Sequence, residues 1–251
     1  MEQRFGARLG VYALDTGTGR SVTYRADQRF PHCSTLKALT AGLVLRSSTD
    51  EQLSRVVRYD RSDVLEWAPI TSQHVDTGMR VRDLLDAALR YSDNTAANLI
   101  MERLGGPAQV RSALRTLGDR TTHVDRTEPT LNTALPGDVR DTSTPRALAD
   151  DLRHLLLGDW LTPQRRGTLA DWMARNTTGD PYIRAGVPSG WTVQDKTGNG
   201  RYGTRNDIAV VRPPGHSPVV LAVLSRRSAE NSTSDDTLIA EATATTVAAL
   251  R

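Results

Sequence analysis

Arg126-Thr127-Glu128-Pro129-Thr130-Leu131-Asn132, continuing through Pro136-Gly137 to Asp138-Val139-Arg140-Asp141, has the apolar spacing of neither a helix nor a strand. A connection this long without regular structure is uncommon inside a compact domain and is more often functional than not. What flanks it decides the fold. From about residue 34 to 175 the spacing is helical, most clearly in Ser34–Leu45, Val81–Arg90, Thr95–Leu104, Ala108–Leu117 and Thr144–Leu157. Outside that block the pattern turns to β. Arg8–Leu14 and Arg20–Arg25, joined by Asp15-Thr16-Gly17-Thr18-Gly19, read as a hairpin. Thr192–Gln194, Asp207–Val211 and Val219–Leu224 read as further strands, followed by a last helix at about 234–250.

Strands at both ends and helices between them predict an α/β plus all-α chain: one antiparallel sheet built from both termini, flanked by helices, with an inserted helical domain. The expected boundaries are 1–24 with 175–251 for the discontinuous α/β domain, and 25–174 for the all-helical domain carrying the irregular loop at about 126–141. Two hydrophobic cores would then share a cleft, the usual place for a small ligand.

Composition narrows the function. With aromatics at 5% of 251 residues, the core must lean on Leu, Val, Ala and Ile. The formal charge of +3 is spread, arginines alternating with acids as in Asp60-Arg61-Ser62-Asp63, so no basic stripe marks a nucleic-acid module. No apolar run is long enough for a membrane span. Cys33 is the only cysteine, which excludes an internal disulfide and reads as a small packing residue. The histidines (His32, His74, His123, His154, His216) lack ligand spacing, so no metal is expected. Gly198-Asn199-Gly200-Arg201-Tyr202-Gly203 matches a dinucleotide fingerprint but precedes a strand where that motif needs a helix. Asp15-Thr16-Gly17 and Asp76-Thr77-Gly78 fit turn and cap chemistry.

Of 32 basic side chains only Lys37 and Lys196 are lysines. Lysine, unlike arginine, can lose its proton near neutrality and is a compact point charge. Each sits in a short pattern. Ser34-Thr35-Leu36-Lys37 opens a helical run, placing a hydroxyl near a helix N-terminus with an amine one turn on. A serine becomes a nucleophile when a base takes its proton, and a partly desolvated lysine can be that base. The bland alternative is a capping serine with a surface lysine. Tyr91-Ser92-Asp93-Asn94 lies between two helices and reads either as caps or as a second hydroxyl with an amide beside it. Lys196-Thr197-Gly198 closes a strand; it offers a cation and a hydroxyl to a carboxylate, with Gly198 allowing substrate close to the backbone.

Ser-x-x-Lys, Ser-Asp-Asn and Lys-Thr-Gly in this order, with Glu128-Pro129-x-x-Asn132 between the last two, resemble the penicillin-recognising serine enzymes and most closely the class A β-lactamases. The likeness runs over nearly the whole chain, with residues 126–141 matching the family's omega loop. It implies a serine hydrolase that opens the amide bond of penicillins and cephalosporins through an acyl-enzyme, conferring antibiotic resistance. It further implies Ser34 as nucleophile, Lys37 and Glu128 as candidate acylation bases, and Glu128 with Asn132 as holders of the hydrolytic water. Ser92 would relay a proton to the leaving nitrogen, Asn94 would bind the substrate amide, and the N–H groups of Ser34 and Asn199 would form the oxyanion hole. Lys196, Thr197 and Arg205 would hold the substrate carboxylate, Trp67 would stand at the rim, and Arg126 and Asp141 would pin the loop. No cofactor or metal is implied; the partner is a small β-lactam and the state a monomer.

The family's first helix is represented only by Met1 to Phe5, and no export signal precedes it, although the resemblance implies an exported parent protein. Gly200 stands where some carbapenem-hydrolysing members carry a cysteine paired with the one matching Cys33, so that disulfide is excluded. Rivals are a D-alanyl-D-alanine peptidase, which shares the three short motifs but not the Glu128 loop, a non-hydrolysing β-lactam sensor, and a basic polyanion-binding protein.

Overall fold

A computed structural model describes residues 1–250. After a short helix α1 (Glu2–Phe5), strands β1 (Arg8–Asp15) and β2 (Ser21–Tyr24) form the expected hairpin. Two-residue strand pairs follow: β3 (Phe30–Pro31) with β6 (Thr142–Ser143), and β4 (Val56–Val57) with β5 (Met79–Arg80). The helical block comprises α2 (Leu36–Ser47), α3 (Asp50–Ser54), α4 (Val81–Arg90), α5 (Asn94–Arg103), α6 (Pro107–Leu117), α7 (Pro145–Leu156) and α8 (Pro163–Ala174). Then come α9 (Ile183–Gly186), β7 (Thr192–Gly200), β8 (Thr204–Arg212), β9 (Val219–Arg226) and α10 (Thr237–Leu250).

The main sheet has the order β2-β1-β9-β8-β7 with antiparallel neighbours throughout, so the two ends of the chain meet at β1 against β9. Both faces are covered. Along β9, Val220, Ala222 and Leu224 face the larger core with the helical block, while Val219, Leu221 and Val223 face α10. That is why this segment reads as a continuous apolar run without alternation. The two cores therefore lie on opposite faces of the sheet, and the larger one runs unbroken from the sheet into the helices. Where the sequence predicts two cores sharing a cleft, the helical block and the inner face of the sheet form one core.

Helix α2 is buried from Leu36 to Leu45, the pattern of a helix hydrophobic all round. α4, α5, α6, α7 and α8 all pack on it. It is the fixed axle on which Lys37 is mounted. Where sequence reading fell short, the reasons are local. α8 buries only Leu169, Trp172 and Met173, too few contacts to print a clear period beside its arginines. β7 continues to Gly200 through Asp195-Lys196-Thr197, whose polar side chains make hydrogen bonds and break the apolar signal. The loop is not wholly irregular, since Thr130–Thr133 forms a 3-10 turn. No helix among the described residues is long and apolar enough to cross a membrane.

Gly186 is where α9 meets α10. A Cβ there would lie 2.3 Å from the Ala240 carbonyl and 2.5 Å from Thr243 Cβ. Gly→Ala inside a helix ordinarily stabilises by up to ~1 kcal/mol. Gly186→Ala should reverse that sign and cost ~1–3 kcal/mol through overpacking, read from the urea midpoint at constant m-value.

Candidate active site

The site begins where β7 is pressed against the turn that precedes α2. A Cβ on Gly198 would stand 2.8 Å from the His32 carbonyl and 3.1 Å from the Thr35 nitrogen. Gly198 thus serves the approach of the chain's own backbone, not that of substrate as its sequence context suggested. The contact sets Asn199 beside Ser34. Cys33–Thr35 is a 3-10 turn feeding α2, and Cys33, fully buried, has φ +49°, an uncommon value for a side-chain-bearing residue. Ser34 therefore lies just ahead of the α-helix and not within its first turn. Burial pushes the Cys33 thiol well above its usual range, so it is a packing group.

Three elements converge on one carboxylate. Glu128 Oε1 accepts from Ser34 Oγ at 3.0 Å and pairs with Lys37 Nζ at 3.0 Å, while Asn132 Nδ2 donates to Oε2. The Lys37 and Glu128 side chains are only 4% and 1% exposed. Lys37 also donates to the Ser92 carbonyl at 2.8 Å and to Asn94 Oδ1 at 2.7 Å. An ammonium has three donors; these three acceptors at 2.7–3.0 Å take them, and Ser92 Oγ is a fourth, longer contact at 3.4 Å. Burial lowers the proton affinity of Lys37, and the nearby Glu128 opposes that.

Ser92 has φ +56° and bridges the two lysines: its Oγ accepts from Lys196 Nζ at 3.1 Å and faces Lys37 Nζ at 3.4 Å. Lys196 is fully buried, and desolvation together with the charge of Lys37 lowers its pKa to about 7. The turn is held from behind by Asp93, which caps α5 through Ala96 N–H and accepts from Ile70 N–H, Thr71 N–H and the Thr71 hydroxyl.

Above these groups opens a cavity of about 400 Å³ lined by Ser34, Ser92, Asn94, Asn132, Thr197, Asn199 and, at the rim, Trp67. Trp67 is 56% exposed and anchored by its indole N–H on the Tyr91 carbonyl at 3.0 Å. Arg205 does not line the cavity. It lies across the strands from Asn199, ion-paired with Asp236 at 2.9 Å. Arg126 and Asp141 meet at 2.5 Å at the neck of the loop, where the buried Asp141 also accepts from the N–H groups of Asp125 and Arg126.

Several contributors were not singled out from sequence. Asn98 clamps the Glu128 backbone from both sides, accepting its N–H and donating to its carbonyl, each at 2.9 Å. Its signal was present: Asn94 and Asn98 are four apart on α5 and share a face. Thr178 meets the Thr197 hydroxyl at 2.6 Å, and Tyr182 donates to Asn199 Oδ1 at 3.1 Å. Behind Lys196, Asp195 is held by Arg184 at 2.7 Å and by Asn176 at 2.5 Å. These partners come from distant segments, and no local pattern announces them.

Residues 1–250 match the model of the β-lactamase enzyme family. The chain is 54% identical over 250 residues to a β-lactamase of Amycolatopsis lactamdurans, covering all of this chain and 83% of that one. It is 53% identical over 250 residues to a β-lactamase of Bacillus licheniformis, covering 100% and 81% respectively. Among solved structures, a halotolerant bacterial β-lactamase superposes with a TM-score of 0.98 at 48% identity, covering 100% of this chain and 96% of that one. A class A β-lactamase from Clostridium kluyveri gives a TM-score of 0.98 at 50% identity, covering 99% and 95%.

Removing Asp141 leaves Arg126 half-buried without its main acceptor and orphans two backbone donors. Asp141→Ala should cost ~2–4 kcal/mol and should expose residues 126–141 to hydrogen exchange before the sheet opens.

Proposed function

The chain belongs to the β-lactamase enzyme family as a class A hydrolase, and from that premise we propose that it opens the lactam amide of penicillins and cephalosporins through an ester on Ser34. The observation that carries this reading is the single oxygen, Glu128 Oε1, shared by the Ser34 hydroxyl and the Lys37 ammonium.

With its three donors committed, Lys37 in the resting site is the cation that holds Glu128, Ser92 and Asn94 in place, and Glu128 is the base in contact with Ser34. Glu128 takes the Ser34 proton as Oγ attacks the lactam carbonyl, and the N–H groups of Ser34 and Asn199 receive the oxyanion. Ser92 Oγ, accepting from Lys196 and facing Lys37, keeps its own proton for the departing nitrogen and regains one from the lysines. The C–N bond breaks and the ester remains. Lys37, having resupplied Ser92, recovers its proton from the protonated Glu128 in contact with it, which regenerates the carboxylate. Glu128, with Asn132, then deprotonates a water that attacks the ester carbonyl, the C–O bond breaks and Ser34 Oγ takes that proton back from Glu128. Asn94 is placed to bind the substrate's side-chain amide, and Lys196 and Thr197 its carboxylate. Arg205 contributes to that carboxylate through the field behind Asn199, or by leaving Asp236. Ring strain makes acylation easy, so a site without a base for the second step would stay acylated, as a peptidase or sensor would. Export of the parent protein fits this activity, because the targets of β-lactams lie outside the cytoplasm.

Glu128→Ala removes the base of both steps but frees Lys37, whose proton affinity burial lowers, to take the Ser34 proton. Acylation should slow yet persist, while deacylation falls ~10²–10⁴-fold and a penicilloyl adduct accumulates by intact mass. Turnover at the wild-type rate without adduct would overturn the role of Glu128.

Lys196, with a pKa of about 7 in the empty site, loses its charge as pH rises through neutrality. A bound carboxylate favours the charged form and raises that value. The kcat/KM for an anionic cephalosporin should therefore fall above pH 7, while the corresponding limb of kcat lies higher. Lys196→Arg, which stays protonated, should remove the limb near 7 from the kcat/KM profile.

A further inference from the structure

The arginines alternate with acids along the chain, yet folding gathers Arg8, Arg25, Arg226 and Arg227 around one cavity of about 520 Å³ beside α1 and the adjoining ends of β1 and β9. None of the acyl-transfer residues lines it. One carboxylate, Glu2, faces the four guanidiniums, and it is already committed. It accepts from Arg25 through both oxygens at 3.1 Å, from Tyr24 Oη at 2.9 Å and from Leu9 N–H at 2.8 Å.

Arg8 and Arg226 are direct partners in the β1–β9 register. Like charges placed opposite one another in a sheet repel and destabilise it. Neither side chain has an ion-pair partner among the described residues, and the Arg226 guanidinium has no hydrogen-bond partner among them either. Arg8 lies over the Phe30 ring at 5.7 Å and donates to Gln28, whose amide oxygen also receives Arg25 at 3.5 Å. A neutral amide thus stands where a carboxylate would neutralise two cations. Arg227, 7% exposed, donates to the Gly203 carbonyl at 2.9 Å and likewise has no ion pair among the described residues. Burial and then the charge of Arg8 lower the proton affinity of Arg226, the direction expected of an uncompensated cation. The register over eight residue pairs prevents the two strands from parting to relieve the repulsion.

We propose that this cavity is a binding site for a phosphate-type oxyanion, gripped by the paired guanidinium forks of Arg8 and Arg226 with Arg227 behind them. A planar fork matches two oxygens of a phosphate group, and two forks fixed side by side favour a multivalent anion over chloride. The same chemistry is offered by a soluble phosphate or by a phospholipid headgroup.

Isothermal titration with inorganic pyrophosphate at constant ionic strength tests it, using the wild type, Arg8→Gln, Arg226→Gln and, as a surface control, Arg61→Gln. Saturable one-to-one binding, weakened ~10-fold or more by either site variant and unchanged in the control, supports the site and a soluble ligand. Co-sedimentation with phosphatidylglycerol vesicles but not phosphatidylcholine, abolished by Arg226→Gln, with no pyrophosphate binding, supports the site and assigns the headgroup. Absence of both, or equal weakening in Arg61→Gln, overturns the proposal. Folding is checked independently: relief of the like-charge pair should raise the anion-free thermal midpoint of Arg226→Gln, and a lowered midpoint would mark Arg226 as a structural residue and also overturn it.

Discussion

A lysine and a glutamate buried within 3.0 Å of each other are the constraint around which the molecule is arranged. Taking either charge out of water alone would cost several kcal/mol, and their mutual attraction offsets this only when the remaining donors and acceptors are also satisfied. The structure meets that condition from four directions. α2 supplies Lys37, the 92–94 turn supplies two oxygens for its ammonium, the loop supplies Glu128, and Asn132 and Ser34 take the remaining interactions of that carboxylate. An apolar helix such as α2 is needed for this, because a mobile surface helix would let water in and dissolve the pair. The Ser34 hydroxyl is thereby held on the Glu128 carboxylate.

The same arrangement is maintained with stored backbone strain. Cys33, Ser92 and Asp141 all carry side chains yet have φ values between +49° and +56°. Such residues cost of order 1–3 kcal/mol each and persist only where the surroundings over-determine them. Here they do. Cys33 is wedged beneath Gly200, whose missing Cβ would come 2.8 Å from its sulfur; Ser92 is held by two lysines and the capped Asp93; Asp141 is locked by Arg126 and two N–H groups. Each of these three lies on or next to a group at the cavity wall or the loop neck.

This explains what could be read from sequence and what could not. The sheet from both termini was legible because β1, β8 and β9 are apolar runs, and α4 because Val81, Leu84, Leu85 and Ala88 make one stripe. The short motifs were legible because Ser34-x-x-Lys37, Ser92-Asp93-Asn94 and Lys196-Thr197-Gly198 are each local patterns with a family resemblance, although their members meet across 55 to 104 residues. Asn98, Thr178, Tyr182 and Arg184 were not, since each lies outside such a pattern and acts through a partner at least 11 residues away. The role of Gly198 was misread for a related reason: the sequence shows that a close approach occurs, but not which backbone makes it. The gathering of Arg8, Arg25, Arg226 and Arg227 belongs to the same class, being a product of the β1–β9 register and of the residues that follow β2 and β9.

The segregation of the two basic residue types follows from geometry. Arginine can grip a carboxylate with two N–H groups at once, as Arg146 does on Asp27. At position 37 three acceptors lie around one point, on a carboxylate, a backbone carbonyl and an amide; a planar guanidinium cannot place three N–H bonds in that tetrahedral array. At position 196 the site is fully buried and the ammonium reaches the Ser92 hydroxyl at 3.1 Å and the Thr197 carbonyl at 2.9 Å from one point. A chain rich in arginine keeps lysine at these two positions because each needs a compact donor where a planar guanidinium would have to spread its N–H groups.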